Sequence, residues 1–223
     1  MDIAIVTSAW GSYGKYLCDW ADSIIAQTLP PAEVVIVDAG CTDTAPRDEA
    51  IHNLVEAGIN TTLRVITYTT LGAARNAAVE ASSTEWAMHL DADDTLVDHA
   101  LEDVAHHQHD ADVVSLGAIR DGQPVIFPNI TAEQILARKH GMFSCGAFRR
   151  SFWERRPWHT HNDWVDSTFW VGLAHLGARF ASTGRVGFNY YQHADSISHS
   201  LTPAEKAAAI TQWKRACAKW ELN

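Results

Sequence analysis

The stretch WAMHLDADDTLVDH, Trp86 to His99, places four aspartates within eight residues directly behind a short apolar run. The run reads as a buried strand, being apolar, short and bounded by polar residues. Each carboxylate beyond it raises the cost of charging its neighbours, so a cluster this tight calls for relief by a cation or by solvent.

Working outward, the first half alternates β-branched runs with helical stretches. Ile3 to Ala9 (IAIVTSA) reads as a strand, and Lys15 to Thr28 carries Leu17, Ala21, Ile24 and Ile25 at helical spacing. EVVIVDAG, Glu33 to Gly40, is a second strand. A helix follows, with Pro46 in its first turn and Gly58 as its stop. TLRVITY, Thr62 to Tyr68, is a third strand, and Gly72 to Ser83 an alanine-rich helix. Glu85 to Asp91 is a fourth strand, and Thr95 to Asp110 another helix. This order predicts an α/β fold: a Rossmann-like, mostly parallel sheet with helices on both faces. Ligands of such sheets sit beyond the carboxyl ends of the strands, where Asp38 and the Asp91 to Asp94 cluster both fall.

The second half is less regular and predicts a small antiparallel portion. Ala111 to Phe127 reads as a hairpin turning at Asp121-Gly122, and Ser144 to Arg150 as a strand. A helix is expected from about Asp163 to His175, a last strand in Val186 to His193, and a terminal helix capped by Thr202. No repeat or linker divides the 223 residues, so one domain is expected. Its first half, to about residue 98, would be the nucleotide side; the remainder would hold the acceptor.

Composition narrows the function. A formal net charge of -10 argues against nucleic acid or anionic lipid as partners, since both need basic surface. An anionic ligand would have to be held locally, by a metal or a single arginine. No apolar run approaches the roughly 20 residues of a membrane span, and the start MDIAIVTSAWGS has no basic segment before an apolar core, so a soluble, cytoplasmic protein is expected. The four cysteines are scattered without a Cys-x-x-Cys pair, which speaks against zinc and disulfides.

Asp91-Ala92-Asp93-Asp94 has two readings. One is a solvated loop in which Asp94 or Thr95 caps the next helix. The other is a site for Mg²⁺ or Mn²⁺, which prefer one or two carboxylates plus substrate phosphate oxygens. Asp38, before Gly40 and Thr42-Asp43, offers an acceptor to a base or ribose. Arg75, three residues after Gly72 at a helix start, offers a guanidinium to phosphate.

Taken in order, IAIVTSAW, VVIVDAGCTD, LGAARNAAVEAS, MHLDADD and DSTFWVGLAHLG resemble the family-two glycosyltransferases of the GT-A fold. The resemblance covers nearly the whole chain. It implies an inverting enzyme using a nucleotide-sugar donor, a UDP-sugar foremost, with Mn²⁺ or Mg²⁺ as cofactor. The acceptor, whether glycan, protein or small molecule, is left open. By the same resemblance, Asp38 would contact the base, Arg75 would lie by the nucleotide, Asp91 near the ribose and Asp93 on the metal. Asp166, four residues before Trp170, would be the catalytic base, and His193 a third metal ligand. There are departures. Ala39 and Cys41 stand where the family often has an acidic residue and a serine. Val165-Asp166 replaces a Glu-Asp pair, with Asn162-Asp163 as a competing match that makes Asp163 the runner-up base. Helical phase favours Asp166, which shares a flank with Phe169, Trp170 and Leu173.

Four tryptophans fall between Trp153 and Trp170. Aromatic faces suit both cores and sugars, so Trp153, Trp158 and Trp164 are candidates for an acceptor wall. Two rival functions remain at this point. A nucleotidyltransferase has a similar sheet, but TSAWGSYGKYL lacks a glycine-rich, arginine-bearing loop for triphosphate. A non-catalytic nucleotide- or carbohydrate-binding module would keep the pocket without the base.

Overall fold

The computed structural model describes residues 2–68, 70–128, 130–137, 142–160 and 165–193, with residues 202–204, 207–208, 210–211 and 214 beyond them. Asp163 and Trp164, and most of the expected terminal helix, lie outside the described residues.

Strand β1 (Ile3–Gly11) leads through a 3₁₀ turn (Ser12–Tyr16) into helix α1 (Leu17–Ile25). Then come β2 (Glu33–Cys41), α2 (Ala45–Glu56), β3 (Thr61–Val65), α3 (Leu71–Glu80) and β4 (Trp86–His89). The second half holds β5 (Thr95–Leu96), α4 (Ala100–Ala105), β6 (Val113–Arg120), β7 (Gln123–Val125), α5 (Ala132–Leu136), β8 (Gly146–Arg149), α6 (Arg150–Arg155), α7 (Val165–His175) and β9 (Phe180–Tyr190). All nine described strands join one sheet in the order β3-β2-β1-β4-β8-β6-β9-β5, with β7 paired to β6.

The first four strands are parallel, as the β-α alternation requires. Antiparallel pairing enters with the second half, where β8 runs between β4 and β6; β6 and β9 are again parallel. Alternation along β1 sends Ile3 and Ile5 into a core with Leu17, Trp20 and Ile24, and Ala4 and Val6 into an opposite core with Ala78, Phe148 and Phe169. Both faces are therefore covered.

Three local expectations are amended. Thr95 and Leu96 do not open a helix: they pair with Asn189 and Phe188 of β9, and the helix begins only at Ala100. Neither Asp94 nor Thr95 caps it. The short helices α5 and α6 are additional elements; α5 opens on a capping box formed by Thr131 and Gln134. The hairpin does turn at Asp121-Gly122, both with positive φ (51° and 72°), as a type I′ turn needs. No helix among the described residues is long and apolar enough to cross a membrane.

Candidate active site

The chain leaves β1 toward β2 and β3, then returns to the other side of β1 as β4. That reversal opens a crevice beyond the carboxyl ends of β1 and β4. Asp91 lies two residues beyond the end of β4, and Asp38 sits near the end of β2, opposite Ala9 of β1 and three residues before the strand ends at Cys41.

Helix α3 delivers Arg75. Thr70, extended, caps its start by accepting the Ala73 N–H at 3.2 Å. Small residues at Gly72, Ala74, Ala77 and Ala78 let the helix lie close on the sheet, so Arg75 is buried, with 2% of its side chain exposed. Its Nη2 donates to Asp91 Oδ1 at 2.7 Å, and its Nη1 is ion-paired with Asp166 Oδ1 at the start of α7. Arg75 was expected to offer open charge to phosphate; instead its terminal nitrogens hold two carboxylates, one from each half of the chain. Arg75 Nε has no hydrogen-bond partner among the described residues.

The pKa values of these carboxylates are shifted in opposite directions. Burial pushes Asp91 upward, but Arg75 outweighs it and holds the group below the usual carboxylate range. At Asp166 burial wins: although Arg75 pulls it down, its pKa stands above the ordinary value. His89, buried beside them with Nδ1 3.7 Å from Asp91 Oδ1, is driven down to about 3 by burial and by Arg75, so its ring is neutral.

Asp93 meets His193, Oδ2 to Nε2 2.8 Å, so the two expected metal ligands stand together. Burial and the charge of Asp91 raise Asp93. Asp94 is not a cap: its Oδ1 accepts the Tyr191 N–H at 3.0 Å, which ties the end of β9 to the acidic turn. Its Oδ2 has no hydrogen-bond partner among the described residues, and its pKa is driven well up by burial and by Asp91 and Asp93. Among the described residues no three His, Cys, Asp or Glu gather as a self-sufficient metal site. A carboxylate and an imidazole in contact, beside a buried carboxylate oxygen without a partner, still fit a hard divalent ion that completes its shell with water and substrate oxygens.

Asp38 is largely engaged. Its Oδ1 accepts the N–H groups of Gly40 and Cys41, both at 2.8 Å, and its Oδ2 pairs with Arg47. Together these outweigh burial and lower its pKa. Sequence reasoning did not single out Arg47.

It also missed an aromatic shelf at the ends of β1 and β3. Trp10 stacks on Tyr13 (centroids 5.0 Å apart) and on Tyr68 (5.1 Å), and Tyr13 and Tyr16 reach the His193 ring at 5.7 and 5.0 Å. The signal was available, as Trp10, Tyr13 and Tyr16 cluster behind the first strand.

The acceptor-wall expectation is corrected for Trp153 and Trp158. Both are buried, and Trp158 stacks on Phe169 at 4.0 Å and meets Phe148 edge-on. Their faces are spent on packing.

A family model described as Glycosyl transferase family 2 matches residues 4–182. Among solved structures, residues 1–349 of S. aureus TarS in complex with UDP-GlcNAc align with a TM-score of 0.80 at 17% identity, covering 100% of this chain and 67% of that one. The same protein in complex with UDP gives 0.76, with 66% of its chain covered. The mannosyltransferase PcManGT from Pyrobaculum calidifontis, in complex with GDP-Man and Mn²⁺, aligns at 0.72 with 19% identity, covering 97% of this chain and 64% of that one. The chain thus spans about two thirds of the length of these neighbours, which share its fold. No curated protein matches it.

Proposed function

The chain belongs to glycosyl transferase family 2, and on that footing we propose that it moves a sugar from a nucleoside-diphosphate sugar to an acceptor hydroxyl with inversion at the anomeric carbon. The observation that carries this reading is the Arg75 bridge, which links Asp91, behind the donor-side strand β4, to Asp166 on α7. Residues to about 98 would serve the donor, and those after it the acceptor.

Asp166 takes the proton of the acceptor hydroxyl as its oxygen bonds to the anomeric carbon, and the bond from that carbon to the diphosphate oxygen breaks. A base needs a pKa raised toward working pH and a way to stay ionised. Burial supplies the first, and Arg75 with the helix N-terminus supplies the second. Asp91, held ionised by Arg75, accepts a hydroxyl of the donor. The aromatic shelf of Trp10, Tyr13 and Tyr68, which begins one residue after the partner of Asp38 in β1, would carry its base. Asp93 and His193 would hold Mn²⁺ or Mg²⁺, which when bound neutralises charge on the departing diphosphate. Fixing both substrates in one crevice supplies further acceleration.

TarS and the mannosyltransferase, bound to UDP-GlcNAc and GDP-Man, bracket the donor class, and UDP-sugars are the first to test. The purified protein with Mn²⁺ and a panel of nucleotide sugars should release a nucleoside diphosphate from at least one, slowly with water and faster with the right acceptor. Neither binding nor donor hydrolysis across the panel would overturn the reading.

A further inference from the structure

Asn76 follows Arg75 on α3, about 100° further round the helix, and makes three hydrogen bonds of its own. Its Nδ2 donates to the Trp158 carbonyl at 2.8 Å, and its Oδ1 accepts the Trp158 N–H at 2.9 Å and the Trp153 indole N–H at 2.9 Å. One carboxamide thus pairs with both peptide groups of a single residue, as a neighbouring strand would, and fixes the orientation of Trp158. Only Asn presents a donor and an acceptor at this reach; Asp has no donor and Gln is one methylene too long.

Trp158 passes the constraint on. Its ring lies flat on Phe169, with centroids 4.0 Å apart and planes 18° from parallel, and meets Phe148 edge-on at 5.5 Å. Phe169 stands three residues after Asp166 on the same flank of α7. Helix α3 therefore grips the start of α7 twice: directly, through Arg75 on Asp166, and indirectly, through Asn76 on the residue that stacks beneath it.

We propose that Asn76 is a positioning residue for Asp166, holding the proposed base in register with the donor by way of Trp158. The inference rests on the reading of Asp166 as base. Arg75 sets the charge of that carboxylate and Asn76 sets its place. Among the described residues the groups facing Asp166 are Arg75, Asp91 and, across the Trp158 ring, His89, whose centroid lies 5.9 Å from that ring. Among these contacts the Arg75 ion pair lowers the Asp166 pKa. Loosening Trp158 lets Asp166 shift away from Arg75, so the acid limb of turnover moves to higher pH.

The test is Asn76→Asp, nearly isosteric but without the Nδ2 donor, measured on donor hydrolysis beside wild type and Asp166→Asn. Expected are a fall in kcat of about 10- to 100-fold, the scale of a small misplacement of a reacting group, an upward shift of the acid limb, and UDP affinity with Mn²⁺ within about threefold of wild type by calorimetry. Asn76→Ala, uncharged and lacking both the donor and the acceptor, serves if Asn76→Asp does not fold, and should show the same split between kcat and affinity. An unchanged kcat and limb in a folded variant, or parallel loss of affinity and turnover, overturns the positioning role. If Asp166→Asn itself retains turnover, the base reading fails instead, and the two failures are told apart.

Discussion

Replacing Asp166 by Asn removes one proton acceptor and little else. The amide oxygen can still accept from Arg75, and Asp91 still pairs with the same guanidinium at 2.7 Å. The half-buried group of Arg75, Asp91 and residue 166 changes from one net negative charge to none. Loss of a general base costs about 10²- to 10⁴-fold in kcat, or about 3–5 kcal/mol of barrier. Stability should move the other way. Asp166 has a raised folded-state pKa, so folding favours its protonated form; the stability this gives is complete below the unfolded value and is lost as pH rises through the folded value, leaving the ionised form penalised. The neutral amide escapes the penalty, and the unfolding midpoint at pH 7 should hold or rise. Single-turnover donor hydrolysis gives the first quantity and thermal unfolding the second, with UDP calorimetry as control. Turnover within about threefold of wild type would refute the reasoning, and Asp163→Asn, run in parallel, would show whether the base is its neighbour.

Other outcomes follow from the same geometry. His89 has a folded pKa of about 3, so its contribution to stability is complete above about 6.5, the unfolded value, and is lost as pH falls through the window between them, at up to about 1.4 kcal/mol per pH unit; urea titrations at pH 7 and pH 5 should show a smaller acid loss for His89→Phe than for wild type. His193→Ala should raise the Mn²⁺ concentration for half-maximal activity by about tenfold or more, while leaving UDP binding without metal unchanged; an unaltered metal curve would remove His193 from the ligand set. Trp10→Ala should weaken UDP binding by about 1–3 kcal/mol, the worth of stacking one base on an aromatic ring, with kcat at saturating donor much less affected; equal affinity in calorimetry would show that the shelf does not carry the base.

The architecture was legible where local pattern and tertiary demand agree. Strands β1, β2 and β4 are buried on both faces because helices cover both, and that reads directly as short, mostly apolar runs. Legibility failed where a distant partner decides. Leu96, Val97, Ala100 and Leu101 fit a helix, yet Thr95 and Leu96 are drawn into the sheet by β9, more than ninety residues on. Trp153 and Trp158 carry no local mark distinguishing a sugar platform from a core; the difference is Asn76 and Phe169 across the fold. The Arg75–Asp166 pair spans 91 residues, and no spacing rule could have joined them.

The acidic turn shows what such partners do. Its carboxylates are crowded, but each is relieved by a different device. Asp91 is neutralised by Arg75 and stays ionised; Asp94 leans on the Tyr191 N–H and, with its pKa driven well up, takes a proton more readily than its neighbours. Asp93 meets the imidazole of His193, and its own pKa is raised by burial and by Asp91. Added positive charge therefore gains more at Asp93 than at Asp91, where it would compete with a fixed guanidinium. The same argument gives Asp91, already paired, to a neutral donor hydroxyl, and so divides a motif of like residues into unlike roles.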